Sequence, residues 1–315
     1  MRISLCITTK NRPLQLSVML ESLSSSDCKK YELVVVDSST NKDSSNTIEV
    51  FKQKNPRSIV KYIYKQCTID EGYFEAAHKS TGEFIWFFSD DDVLTPSAID
   101  ALHNLLMKSP LDFLIVNSSL YNHDLSKCEQ FSRLDFLKDE SGLVENLQSL
   151  GELFGKVHGI LGYISCILIS RTMFNSYLTN HDKVSFCKYF HHLHYVFSTN
   201  LKDNSTIKWK ILSSPLFITR INSNSWIDDY LFIWGIDFQK ACRSLININS
   251  NVIFTHNLKA NNCSVRFLVA SLVHNRGADR FTNYIKKAKC SRCFLLLWMI
   301  YRILSVLKIF KRSTQ

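Results

Sequence analysis

Five short runs rich in β-branched and aromatic residues, each separated from the next by a stretch of helical character, leave few folds open to the first 120 residues of this chain. The runs are ISLCITT (3–9), YELVVVD (31–37), SIVKYIYK (58–65), EFIWFF (83–88) and DFLIVNS (112–118). Residues of these types suit the pleated, buried surface of a strand. Between them lie PLQLSVMLESLS, a Ser-rich stretch leading into NTIEVFKQ, then GYFEAAHKS and PSAIDALHNLLMK. The last begins with Thr95 placed to cap a helix and Pro96 suited to its first turn. This alternation predicts an α/β fold, a mostly parallel sheet with helices on both faces. Ligands of such sheets bind beyond the carboxyl ends of the strands. Two of those ends are chemically unusual: Asp37 closes the second run, and Ser89, Asp90, Asp91 and Asp92 follow the fourth.

The pattern weakens from about residue 122 to 160, where NHDLSK and KDESG read as loops around an amphipathic stretch from Leu143 to Phe154. A further strand, YISCILIS (163–170), precedes an aromatic, His-rich helical segment, KYFHHLHYVF (188–197), and an extended stretch, IKWKILSSPLFITR (207–220). Helical segments are expected from there to the end. These shifts divide the chain into 1–121, 122–247 and a mainly helical 248–315.

Composition narrows the class. Hydrophobic residues make up 45% and charged residues 21%, with 9 Gly and 5 Pro, which argues against extensive disorder. The ten cysteines are scattered, and most sit inside apolar runs, so reduced thiols in the cytosol are expected. Cys290 and Cys293 form a CxxC that lacks two further ligands at zinc spacing. Nothing at the start reads as a secretory signal. The net charge of +10 concentrates after Asp279, where nine Lys and Arg residues occur with no acid. There FLLLWMIYRILSVLKIF (294–310) carries Arg302, Ser305 and Lys308 on one polar stripe. That stripe favours a helix lying in an anionic membrane surface over one that spans it, with packing on the core as the alternative. Basic residues clustered with a long apolar helix speak against nucleic acid as a partner.

EFIWFFSDDDVLTP sets three carboxylates directly after a buried strand. Adjacent like charges are tolerated when they are exposed, protonated or neutralised by a cation. Hard oxygen ligands suit Mg²⁺ or Mn²⁺, which also bind diphosphate oxygens, so one or two protein carboxylates suffice. The alternative is a solvated turn that caps the next helix. The position, after a fully apolar strand in an α/β pattern, favours the metal.

With these residues in view, the first 120 positions resemble family 2 glycosyltransferases of the GT-A fold, a Rossmann-like α/β architecture. ISLCITTKNRP resembles that family's opening strand and turn. VVVDSST resembles its second strand, whose terminal Asp meets the nucleotide base, and TGEFIWFFSDDDVLTP resembles its metal-binding segment. The family usually has an acid where Ser89 stands, so the resemblance places metal binding on Asp91 and Asp92, with Asp90 in support. More narrowly, TIDEGYFEAA, YISCILISRTMF, the segment from Tyr189 to His191 and PLFITRINSNSW resemble abequosyltransferase-like enzymes of bacterial O-antigen assembly. The resemblance implies a nucleotide-sugar-binding half (1–121) and an acceptor-binding half (122–247), to which the basic, apolar tail adds a membrane-facing C-terminal region (248–315). It also implies a nucleotide-sugar donor and a saccharide or lipid-linked glycan acceptor, while the thiols and the basic tail point to residence at the cytoplasmic face of the cell membrane.

Other residues join this expectation. Thr8, Thr9 and Asn11 stand where hydroxyl and backbone groups face a nucleotide, and Arg12 where it meets a phosphate. An ordinary strand-to-helix turn is the alternative. Asp37 reads as a base or ribose acceptor or a turn cap. Asp70 reads as a lining of the nucleotide pocket or an exposed helix cap. Arg220 is placed to hold a diphosphate or an acceptor phosphate, or to form a surface salt bridge. Family members generally carry an acidic base after the strand matched by YISCILIS, and KYFHHLHY has no acid there. His191 is the first candidate for the base, on the suitability of imidazole; His192, Asp182, Asp228 and Asp229 are alternatives. Two rival functions stand beside a glycosyltransferase: an inactive sugar-nucleotide-binding or membrane adaptor protein, and a sugar nucleotidyltransferase. TTKNRP lacks the glycine-rich loop of the latter.

Overall fold

A computed structural model describes residues 1–108, 110–132, 139–157, 160–180, 189–197 and 206–220, together with 237, 238, 241 and 245. Its elements in chain order are β1 (Ile3–Thr9), α1 (Pro13–Glu21), β2 (Tyr31–Asp37), α2 (Asp43–Lys54), β3 (Ile59–Tyr64), α3 (Ile69–Lys79) and β4 (Phe84–Ser89). There follow β5 (Val93–Leu94), α4 (Ala98–Lys108), β6 (Phe113–Tyr121), β7 (Cys128–Gln130), β8 (Glu140–Val144) and α5 (Leu147–Val157). The last are β9 (Ile167–Ser170), α6 (Arg171–Asn180), α7 (His192–Phe197) and β10 (Ile207–Arg220). All five apolar runs are strands, with ends within three residues of those expected.

One mixed sheet carries every strand, in the order β3-β2-β1-β4-β9-β6-β10-β5, with β7 on β6 and β8 on β10. β1 pairs in parallel with β2 and β4, β2 with β3, and β6 with β10. β9 is antiparallel to both β4 and β6. It follows that β1, β2, β3, β4, β6 and β10 run in one direction and end on one edge. The sheet passes without a break across residue 121, because β9 and β10 belong to it as fully as β1 does.

Strands buried on both faces read as continuous apolar runs, and β1, β2 and β4 are buried along almost their whole length. Trp86 of β4 packs edge-on against Phe88 and Phe217, and its indole N–H donates to the Ser165 carbonyl at 2.8 Å. That bond fastens the turn before β9 to the sheet interior, as a buried indole requires a partner. At the opposite edge from the strand ends, the buried Glu32 carboxylate accepts from Ser4 Oγ, from the Thr81 amide and hydroxyl, and from the Gly82 amide. Burial alone would raise its pKa, and these donors reverse the sign and hold it at about 2. The Arg171 guanidinium donates to the carbonyls of Ala77 and Gly82 and to Ser80 Oγ, closing the same corner.

Three local readings are corrected. KDESG is not wholly loop, since β8 pairs antiparallel with β10 from Glu140 onward. Residues 163–166 are not strand: a single 3₁₀ turn (Ile164–Cys166) precedes a shorter β9. Thr95 does not cap α4; its amide and hydroxyl both donate to the Leu216 carbonyl, and the helix starts at Ala98 after Ser97 with φ 61°. A partner 121 residues away competes for the capping group, which local sequence does not reveal.

Candidate active site at the carboxyl edge of the sheet

The shared strand direction brings the end of β1 (Thr8, Thr9), the end of β2 (Asp37), the run after β4 (Asp90, Asp91, Asp92) and the end of β10 (Arg220) to one edge. Register fixes the neighbours: Thr9 lies beside Asp37, and Thr8 beside Ser89. β5 follows the run at once and pairs Val93 with Ile218, which draws the end of β10 toward the carboxylates.

The three aspartates are buried, with relative exposures of 3, 5 and 7% for Asp90, Asp91 and Asp92. The solvated-turn alternative is therefore excluded. Arg12 bridges the first two, Nη1 to Asp90 at 2.7 Å and Nη2 to Asp91 at 2.8 Å. Thr9 Oγ1 donates to the second oxygen of Asp90 at 2.8 Å, and Ser89 Oγ donates to Asp91 at 2.5 Å. Burial pushes the Asp90 carboxyl up to about 7, against the pull of Arg12 and with a push from Asp91. Burial opposes the Arg12 charge too, but the two carboxylates outweigh it and raise its pKa. Ser89, which replaces the acid usual in the resembled family, thus serves as a donor that orients Asp91.

A turn anchored to β2 carries Arg12. Asn11 adopts φ 55°, a region Asn tolerates better than most residues. Its amide donates to Ser39 Oγ, and its side-chain oxygen accepts from the Thr40 amide and hydroxyl. Asn11 is a brace for the turn in this arrangement. Asp37 is fully buried; one oxygen accepts from the Ser39 amide at 2.8 Å and the other from the Tyr62 hydroxyl at 2.7 Å. Tyr62, Tyr64 and Ser39 were missed by sequence reasoning. Tyr62 and Tyr64 alternate in KYIYK on the strand neighbouring β2, with Tyr64 in register with Asp37. That spacing was the available signal.

Asp70 is buried and is not the cap of α3; Thr68 is, in a capping box with Glu71. The Asp70 carboxylate accepts from the backbone amides of Tyr189 at 2.5 Å and His191 at 3.0 Å. It clasps the segment before α7 and so ties 189–191 to the first half of the chain. His191 is enclosed at 1% exposure, its Nε2 3.0 Å from the Tyr177 hydroxyl and its ring stacked on His194. His192 Nε2 pairs with the Leu161 carbonyl, and burial lowers its pKa to about 4. Arg220 presents Nε and Nη2 buried without a hydrogen-bond partner. Those two atoms form the side of a guanidinium that takes two oxygens of one phosphate. Asp182, Asp228, Asp229, the Cys290–Cys293 pair and the apolar 294–310 segment lie outside the described residues.

The donor set fits a divalent cation. Three buried carboxylates in succession supply hard oxygens, and Asp91 and Asp92 are the pair that would hold Mg²⁺ or Mn²⁺ together with diphosphate oxygens. Among the described residues no group of three or more His, Cys, Asp or Glu side chains is arranged to hold a metal ion by itself. A site completed by substrate needs none.

Fold and site together define a GT-A-type α/β protein, with an acidic run at the end of a central strand and the Arg12 guanidinium bridging two of its carboxylates. Residues 4–178, more than half of the chain, match the model of Glycosyl transferase family 2. The chain belongs to glycosyl transferase family 2 and is a glycosyltransferase. Comparison with curated proteins gives no match. Among solved structures, it is similar to residues 1–349 of TarS from S. aureus in complex with UDP-GlcNAc, at 16% identity and TM-score 0.58, covering 83% of this chain and 71% of that one. It is also similar to the mannosyltransferase PcManGT from Pyrobaculum calidifontis in complex with GDP-Man and Mn²⁺, at 12% identity and TM-score 0.55, covering 99% and 88%. At these identities the likeness is one of fold.

Proposed function

We propose that this chain transfers a hexosyl or deoxyhexosyl group from a nucleotide-sugar donor to a saccharide acceptor, with inversion at the anomeric carbon. The acceptor is a lipid-linked O-antigen or other surface-polysaccharide intermediate, met at the cytoplasmic face of the membrane through the basic C-terminal region. The observation that carries the reading is the buried aspartate run at the edge where β1, β2 and β4 end, bridged by Arg12, with Arg220 ending β10 at the same edge. Support for the donor class comes from the similar structures, which hold UDP-GlcNAc and GDP-Man, and for the acceptor class from the PLFITRINSNSW and YISCILISRTMF resemblances.

In this reading the acceptor hydroxyl oxygen forms a bond to C1 of the donor sugar. The bond from C1 to the diphosphate oxygen breaks, and the nucleoside diphosphate leaves with the electron pair. A bound Mg²⁺ or Mn²⁺ would neutralise charge gathering on that leaving group. Asp91 and Asp92 would hold the ion, and Nε and Nη2 of Arg220, which lack a hydrogen-bond partner, would take phosphate oxygens. The acceptor proton passes to a base. The enclosure of His191 favours Asp228 or Asp229 over it, since a base must reach the proton it removes.

The test is donor hydrolysis and transfer measured with and without Mn²⁺. Asp91→Ala and Asp92→Ala should each lower turnover at least about 100-fold, the scale of losing one electrostatic stabiliser of the transition state. Wild-type turnover in either variant would refute the assignment.

A further inference from the structure

We infer that Arg12 is a built-in counter-cation of the aspartate run, which a divalent ion must partly displace, freeing a guanidinium arm for the donor diphosphate. The inference rests on the metal-diphosphate reading above and adds to it the role of this residue.

Arg12 does not stand beside the run as a spare phosphate ligand. Both terminal nitrogens are committed, one to Asp90 and one to Asp91, at 2.7 and 2.8 Å. A guanidinium that bridges two neighbouring carboxylates does electrostatically what a divalent ion does there. It removes the repulsion between like charges that burial would otherwise make severe. The two partners differ in their other contacts. Asp90 is also held by Thr9, whereas Asp91 is held by Ser89, the residue just before the run. Asp91 is therefore both a guanidinium partner and one of the two expected metal ligands. A cation approaching Asp91 meets Nη2 already on one of its oxygens.

Exposure sets the direction of exchange. The Arg12 side chain is 25% exposed, while those of Asp90 and Asp91 are 4 and 7% exposed. The guanidinium is the open member of the group, so it can swing outward while the carboxylates stay in place. Its backbone does not follow, because the Asn11 turn is tied to Ser39 and Thr40. The motion is confined to the side chain. A diphosphate arriving with the ion supplies the oxygens that the released arm requires, and two like-charged cations on one carboxylate would otherwise repel. Metal and nucleotide should accordingly bind together much better than metal binds alone.

The test uses the full chain, with Mn²⁺ as probe, by electron paramagnetic resonance and by thermal unfolding, without nucleotide and then with UDP or GDP. Wild type should bind Mn²⁺ weakly alone and at least tenfold more tightly with the matching nucleotide. Arg12→Gln, which keeps hydrogen bonding but not the charge, should bind Mn²⁺ alone at least tenfold more tightly than wild type and show a larger Mn²⁺-induced rise in melting temperature. Folding of Arg12→Gln only in the presence of Mn²⁺ would be the same result in stronger form. If that variant does not fold at all, Arg12→Lys carries the test: one ammonium cannot bridge both carboxylates as the fork does, so a smaller gain in the same direction is expected. Equal Mn²⁺ affinity in wild type and the folded variant overturns the inference while leaving the metal reading intact. Failure of wild type to bind Mn²⁺ even with UDP and GDP present overturns the metal reading itself.

Discussion

Gly72 lies in α3 where that helix crosses the end of β1, and a methyl group there has nowhere to go. A Cβ built at Gly72 would stand 2.6 Å from Thr8 Cγ2, 3.4 Å from Thr8 Cβ and 3.6 Å from Cys67 Sγ. Carbon atoms pack at about 3.5–4.0 Å, so roughly 1 Å must be found, and a β-branched strand residue has few rotamers in which to find it. Overpacking of this kind costs about 1–3 kcal/mol, whereas Gly→Ala inside a helix by itself gains about 0.5–1 kcal/mol. The clash outweighs the propensity, and Gly72→Ala should be destabilised by about 1–2 kcal/mol net. Thr8→Ser removes the methyl at 2.6 Å and leaves the 3.4 and 3.6 Å neighbours, which are ordinary contacts. In that background Gly72→Ala should be neutral or slightly stabilising. Urea unfolding of the four proteins gives the coupling, expected at about 1 kcal/mol or more. Additive effects of the two substitutions would refute the packing argument. Because Thr9 follows Thr8 and holds Asp90, donor affinity should fall in Gly72→Ala and recover in the double variant.

Burial, partly offset by the amides of His191 and Tyr189, pushes Asp70 up to about 6 from an ordinary 3.8. A raised carboxyl favours the protonated form in the folded state, so its contribution is full below pH 3.8 and lost as pH rises through 6, up to about 3 kcal/mol at 1.36 kcal/mol per unit. Asp70→Asn should remove that slope from stability measured between pH 4 and 7, and a wild-type slope retained in the variant would show that another group carries it. A chain truncated after Lys289 should stay in the supernatant with anionic vesicles that sediment the full chain at low salt; full-length protein that also stays in the supernatant would refute membrane attachment through 294–310.

Five strands of the sheet were legible because each is a short run rich in β-branched and aromatic residues, a signal carried by its own residues. The position of Asp90, Asp91 and Asp92 at the carboxyl edge was legible for a related reason: they follow such a run directly. Asp70 and Thr95 were misplaced in the alternatives offered for them because their partners, His191 and Leu216, lie 121 residues away. Periodicity holds no record of such a partner. Arg12 was read as free for phosphate, since a sequence shows that a guanidinium is near carboxylates only when they are near in number. The antiparallel insertion of β9 was equally invisible: ILIS reads as a buried strand whichever way it runs.

That insertion has a bearing on how the chain is made. β4 and β6 are not paired with each other; β9 lies between them in the sheet. A ribosome that has released Ser89 must add another 78 residues before Ile167 emerges, about 4–16 s at 5–20 residues per second. Throughout that interval β4 has an open edge of FIWFF, an uncharged run of aromatic and β-branched residues, with Trp86 lacking its carbonyl partner. A chain cut at residue 121 would keep that edge open for good, and it should aggregate more readily than the full chain.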